Sequence, residues 1–358
     1  MRIREVFSEA GRNIASGTSR TAALAIVLAT TVTVLGAAEG ESVRQVVRGA
    51  YEFRSSGASV VILSADQGIN GIACERLVTV AGIETAGAIR PAVPDSLLLT
   101  SLPTLPVPLK EATPGFRHVL HAAPEGTDGM LISEQVARTT GRGPGGHLWA
   151  VQGALGIAGV YVYPADGRSP QLEYAAVDLV PAGVGLFDEC WAEVWPLNAA
   201  TAQLLRTSLD SSLSPDHEVS LSQLNTTLGS DFDGVRRFDE RTTANAALVC
   251  LLAGLALGYL SSRLRRLELS SARHAGVSVG AQLLQVAVEA TTWAAIAILL
   301  SAPTLWYQAA RVDDSVQLWL FWVQFRCPLA GASGAILGVL AGAMLNRERH
   351  LFRHFKDR

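Results

Sequence analysis

The chain has 358 residues, 49% of them hydrophobic and only 17% charged, with a formal net charge of −3. A charged share well under the roughly 25% of soluble domains argues against an ordinary soluble enzyme and makes a membrane protein the leading class. Lysine occurs only at Lys110 and Lys356, preceded by Leu109 and Phe355, so no Walker A phosphate loop, which needs a lysine after its glycines, is present.

In chain order, residues 1 to about 16 place Ile3, Val6, Phe7 and Ile14 near one helical face, with Arg2, Arg4, Glu5, Glu9 and Arg12 around it. Such a helix would lie along the inner leaflet, either as a plain surface anchor or as a brace for a partner. The uncharged run Thr21 to Ala38 follows and is long enough to cross a bilayer, giving a first span over 21–40. A secretory signal peptide is the rival reading. The run is longer than the roughly 7–15 residues of a signal core, and Glu5 and Glu9 precede it, so a retained span is expected.

Residues 41–243 hold 14 basic and 23 acidic residues, a net of −9, and suit an exported domain with a solvated acidic surface. Segments such as ASVVILSA, LGIAGVYVYP and YAAVDLVP read as strands, and GMLISEQVARTTG as a strand running into a short helix with Ser133 as its N-cap. The stretch between residues 90 and 115 carries six prolines and reads as extended or looping. An α+β domain is expected. Cys74 and Cys190 fall in this region, where a disulfide would persist; a bridge and two separate thiols are both open readings. His118, His121, His147 and His217 are best taken as surface histidines rather than metal ligands, and GRGPGGH at 141–147 as a loop. No catalytic residue is expected, since no nucleophile motif surrounds Ser133.

The second span is expected over 244–262, where Gly254 and Gly258 stand four residues apart. A polar patch over 263–280 follows, with Arg263, Arg265, Arg266 and Arg273, and reads as one or two short helices at the membrane surface. The third span, 281–302, contains Glu289, about 12 Å along the helix from Ala281. A carboxylate facing lipid there would cost on the order of 2–3 kcal/mol, so it should face protein or the interface, in a coupling or a structural role. Residues 303–327 read as an outer loop in which Trp306, Trp319 and Trp322 mark an aromatic belt or an interfacial helix. The fourth span, 328–346, repeats Gly334, Gly338 and Gly342 at four-residue spacing, for packing within the bundle or between two copies. The tail 347–358 is basic. Arginines concentrate in 1–20, 263–280 and the tail, which places both termini and the 263–280 loop in the cytoplasm.

The patch Arg265, Arg266, Glu268, Leu269, Arg273, Gly276, followed by Glu289 and Ala290 inside the next span, resembles the cytoplasmic loop of MacB/FtsX-like ABC transporter permeases in order, spacing and placement. FSEAGRNI before SRTAALAIVLA is similar to that family's N-terminal helix and first span, with Arg12, Asn13 and Arg20 in place, and the exported segment resembles its strand, helix and strand pattern. His274 and Ala275, where the family often has aliphatic residues, and the tryptophan-rich 303–327 segment depart from it. The resemblance implies an α-helical membrane domain of four transmembrane helices, with a large α+β extracytoplasmic domain inserted between helices 1 and 2, in a bacterial cytoplasmic membrane. It also implies a permease subunit without enzymatic activity or a bound cofactor. ATP and magnesium would belong to a cytosolic ABC ATPase present in two copies, alongside a second permease chain, identical or homologous, membrane lipids, and an extracellular protein or lipoprotein. No nucleic-acid partner is expected. Arg265, Arg266, Glu268, Leu269, Arg273 and Gly276 would contact the ATPase, with Glu289 coupling that contact into the membrane. A membrane-anchored sensor or scaffold is the alternative.

Overall fold

The computed structural model describes residues 3–122, 129–151, 153–214, 216–312 and 314–345; Arg2, the side chain of Ile3 and the basic tail 347–358 lie outside the described residues. In chain order come helices α1 (Ile3–Ala15) and α2 (Thr21–Ser55), strand β1 (Val60–Asn70), helix α3 (Gly71–Arg76), strands β2 (Ile83–Leu99) and β3 (Leu102–Ala112), and helix α4 (Phe116–Val119). Strand β4 (Met130–Ser133) leads into α5 (Glu134–Thr140), followed by β5 (His147–Ala150), β6 (Gly153–Tyr161), β7 (Ala176–Leu179), β8 (Leu186–Val194), α6 (Ala199–Gln203) and β9 (Ser220–Gln223). The remainder is helical: α7 (Gly234–Asp239), α8 (Ala246–Leu264), α9 (Arg266–His274), α10 (Val279–Ala309) and α11 (Asp314–Leu345). Two compact units result, a helical unit of residues 1–47 and 234–358 and a sheet unit of residues 48–233.

In the helical unit, α2, α8, α10 and most of α11 are long and apolar enough to cross a membrane. Their ends differ from the sequence expectation. Helix α2 continues to Ser55 rather than stopping at 40, and the segment 303–327, expected as an outer loop, is helical up to Ala309 and again from Asp314. Pro303 and Pro328 both sit inside helices. A proline removes one helix hydrogen bond, yet apolar surroundings penalise unravelling the backbone more, so the helices persist through them. The core of this unit joins Leu28 and Val32 of α2, Cys250 of α8, Trp293 of α10, and Ala335 and Val339 of α11.

Helices α8 and α11 meet backbone to backbone. A Cβ added at Gly254 would land on the Gly331 carbonyl oxygen, one at Gly258 on that of Ala335, and one at Gly334 or Gly338 on the carbonyl oxygen of Leu251 or Leu255. Gly342 closes the series against Ser262, whose hydroxyl donates to the Val339 carbonyl at 2.8 Å. Such close approach gives attraction through packing where lipid removes the hydrophobic drive between helices.

Among the described residues the sheet unit is a nine-stranded mixed sheet in the order β3-β7-β4-β6-β5-β2-β8-β1-β9, with an added pairing of β2 to β3 that closes the first six strands into a ring. Strands β3 and β7, and β4 and β6, run parallel; the other pairings are antiparallel. The long β2 makes the closure. Its first half pairs with β8, and its second half with β3 and, at Leu99, with β5. The β2–β3 register is irregular between Pro91 and Ser96, where two prolines cannot donate to the ladder. Leu99, Val107, Ile132, Leu148 and Ile157 fill one core of this sheet, while Leu63, Ile69, Phe187 and Ala192 belong to another. Ser133 caps α5 by accepting from the Val136 amide, and the helix ends on Gly141 at φ 65°.

Candidate functional site

The site begins where α8 ends. Arg265, at φ −100° and ψ 18°, closes α8 and opens α9, so the chain turns while its guanidinium stays against the bundle. Its Nε and Nη2 donate to Glu268 at 2.9 and 2.5 Å, and its Nη1 donates to Glu289 of α10. Glu289 is 3% exposed and also accepts from the Asn13 side chain of α1 at 2.8 Å. Burial disfavours the charged form of Arg265, but the hydrogen bonds and charge of Glu268 and Glu289 outweigh it and raise its pKa above the ordinary arginine value. A cavity of about 20 Å³, room for one water, adjoins this knot between Ser19, Ser261, Ser262, Arg265 and Glu289.

Arg273 makes a second tie. Its Nε donates to Gln282 of α10 at 2.6 Å and its Nη2 to the Ala343 carbonyl of α11 at 2.9 Å, while the Gln282 amide donates to the Leu269 carbonyl at 2.7 Å. Leu269 itself is 4% exposed and packs in the bundle core. Of the six residues expected to meet an ATPase, Arg265, Leu269 and Arg273 are therefore directed into the unit. Glu268 and Gly276 are exposed and Arg266 is half-buried. Gly276, at φ 91°, supplies the left-handed turn between α9 and α10.

Helix α1 packs largely on the face read from the sequence, with Ile14 half-buried, but Ala10 takes the place expected of Phe7. Val6 and Ala10 are buried, whereas Phe7 is exposed. The glycines Gly254, Gly258, Gly334, Gly338 and Gly342 all serve the α8–α11 contact inside one unit. In the sheet unit Cys74 of α3 and Cys190 of β8 are bonded, with Cα atoms 5.9 Å apart. His121 Nε2 lies 3.8 Å from Glu193, and no group of three metal-ligating side chains forms among the described residues.

One cluster was missed from the sequence. Glu39 of α2, fully buried, accepts from Arg326 Nη2 at 2.6 Å, faces Arg241 Nη2 at 3.6 Å and accepts from the Cys327 thiol at 3.4 Å. The signal was available: an acid just past one apolar run and arginines just before two others are natural partners, because a charge at a span must find one.

Fold and contacts define a class, a membrane protein with, among the described residues, four candidate spanning helices, two largely buried ion clusters and a mixed α+β unit inserted in its chain. No family model and no curated protein matches the chain. Among solved structures it is similar to the periplasmic region of MacB from Actinobacillus actinomycetemcomitans, at 9% identity and a TM-score of 0.34, over 48% of this chain and 91% of that one. It is also similar to a domain of a putative permease protein from Porphyromonas gingivalis, at 16% identity and a TM-score of 0.32, over 48% of this chain and 92% of that one.

Proposed function

We propose that the chain is the permease subunit of an ABC transporter of the mechanotransmission type. A separate cytosolic ATPase, in two copies, supplies ATP-driven motion to the helical unit of this chain and of a second permease chain. The motion passes to the sheet unit across the membrane, which exports or extrudes a substrate or activates an extracytoplasmic partner. Both termini and α9 face the cytoplasm of a bacterial cell, and ATP and magnesium are bound by the partner.

The observation that carries this reading is the tethering of α9. Through Arg265 and Arg273 the short polar helix is tied to α10 and α11, and through Glu289 to α1. A load applied to the outer face of α9 is thus delivered to three helices rather than absorbed by a slack loop. In this scheme Arg266, Glu268 and Gly276 meet the ATPase, while Arg265, Leu269 and Arg273 hold the loop in register.

The test is to purify the full chain in lipid nanodiscs with a candidate cytosolic ABC ATPase and to follow complex formation and ATP turnover. The intact chain changes ATP turnover, and Glu268→Lys weakens the complex about tenfold, near 1.4 kcal/mol. A candidate that neither binds the intact chain nor changes its turnover in its presence refutes the permease reading and favours the sensor or scaffold.

A further inference from the structure

The sheet closes into a ring at one side but ends at the other on β9, which pairs with β1 alone among the described residues. The Leu224 amide donates to the Val60 carbonyl at 2.9 Å, which sets the phase of that ladder. Bonded and non-bonded pairs alternate between antiparallel strands. Counting back in register, Ser222 and Ser220 turn their peptide groups toward Ile62 and Ser64, and Leu221 and Gln223 turn theirs to the open side. Sheet edges are commonly blunted by short strands, lysine, proline or a bulge, and β9 is short, at four residues. The sequence of β9, SLSQ, has neither residue, and its register with β1 is unbroken.

Beside this edge lies a cavity of about 430 Å³, within the range of roughly 300–1,000 Å³ for ligand pockets. Val61, Leu197, Ala199, Ala202 and Leu221 give it an apolar lining, and Asp231 stands among its polar residues. Leu221 therefore contributes its side chain to the cavity and its peptide group to the edge. The chain segment that carries β9 is acidic: between Arg206 and Arg236 there are five acidic residues and no lysine or arginine, and of these Asp231 lines the cavity.

We propose that β9 and the adjoining cavity bind an extended peptide segment of a partner protein. The segment adds as a strand along β9, seats an apolar side chain in the cavity and places basic residues against the acidic surround. Outward peptide groups at Leu221 and Gln223 have no use for a purely apolar small molecule, whereas a peptide backbone satisfies them. The inference goes beyond the permease reading and does not depend on it, because every residue used belongs to the sheet unit.

The experiment uses the full chain in nanodiscs, without any ATPase, and fluorescent eight-residue peptides. These carry valine, leucine, isoleucine or phenylalanine at alternate positions, threonine between them and lysine at both ends. Fluorescence anisotropy shows saturable binding by at least one peptide, and methylating its alternate backbone nitrogens weakens binding at least about tenfold. Ala199→Trp, at an exposed position lining the cavity, weakens it by a similar factor without moving the thermal unfolding midpoint. Absence of saturable binding by every peptide overturns the proposal. Equal binding of the methylated peptide also overturns it and leaves an apolar ligand pocket, and equal binding with glutamate at both ends overturns the charge preference.

Discussion

Replacing Glu289 by glutamine keeps the shape of the side chain and its acceptor for Asn13 but removes the charge facing Arg265. The two side chains are 14% and 4% exposed, so the pair is largely sequestered from water. Removing one partner of a buried pair costs roughly 3–5 kcal/mol, mostly by stranding the other charge. Here Glu268 still grips the guanidinium, and its own side chain is 42% exposed, so the stranding is incomplete. The expected cost is about 2–3 kcal/mol. At roughly 2–4 °C per kcal/mol for a unit of this size, the unfolding midpoint of the helical unit falls by some 4–12 °C. The double variant Arg265→Met with Glu289→Leu recovers most of the loss, because desolvation and attraction disappear together. The single variants Arg265→Met and Glu289→Leu complete the cycle, read by thermal unfolding of the full chain in detergent followed by tryptophan fluorescence; Trp293 lines the same cavity as Glu289 and reports locally. A midpoint unchanged in Glu289→Gln, with a coupling energy under about 0.5 kcal/mol, would refute a buried ion pair at the root of α9.

Gly338→Leu pushes a side chain into the Leu255 carbonyl and destabilises the helical unit by at least about 1–3 kcal/mol in the same assay, whereas Gly280→Ala, with open space around its Cβ, changes little. Replacing Cys74 and Cys190 together by serine opens a loop with a sequence separation of 116 and lowers the stability of the sheet unit by about 4–5 kcal/mol, visible as lost hydrogen-exchange protection in β1 and β8. Retained protection would show that the bridge contributes little. Burial first, and the charge of Glu111 second, raise the pKa of Asp178. The folded chain then holds that proton more tightly than the unfolded chain, so the penalty is absent below the unfolded value of about 3.9 and grows as pH rises through the folded value. Asp178→Asn therefore stabilises the sheet unit at neutral pH and not near pH 3, and a gain independent of pH would refute the assignment.

The four long apolar helices were legible because hydrocarbon imposes one requirement, about 20 apolar residues in a row, and composition reports it directly. Helix ends were not legible from the same signal. Hydropathy marks where the surroundings change, whereas α2 remains helical through Glu39, Glu41 and Arg44 to Ser55. Sheet order was hidden for another reason. Neighbours such as β3 and β7 are parallel and far apart in sequence, and the proline-rich stretch that reads as a loop is the strand pair that closes the ring. The glycine spacing announced a close helix contact but not its partner. Only the registered approach of Gly254 to Gly331 and of Gly338 to Leu255 assigns it to α8 and α11.

Arginine counts are the least direct of these signals, since they weigh every residue equally while the structure does not. Arg265 is balanced by Glu268 and Glu289, and Arg12 by Glu9. At the other end of the helices, Arg241 and Arg326 share the buried Glu39. With these internally compensated charges set aside, Arg4, Arg20, Arg263 and Arg266 remain on or beside α1 and α9, with no ion pair among the described residues, against Arg48 late in α2 and Arg311 at the α10–α11 turn. The asymmetry keeps its sign, so the orientation drawn from the sequence rests on fewer arginines than it first counts, and on different ones from those that hold α9 in place.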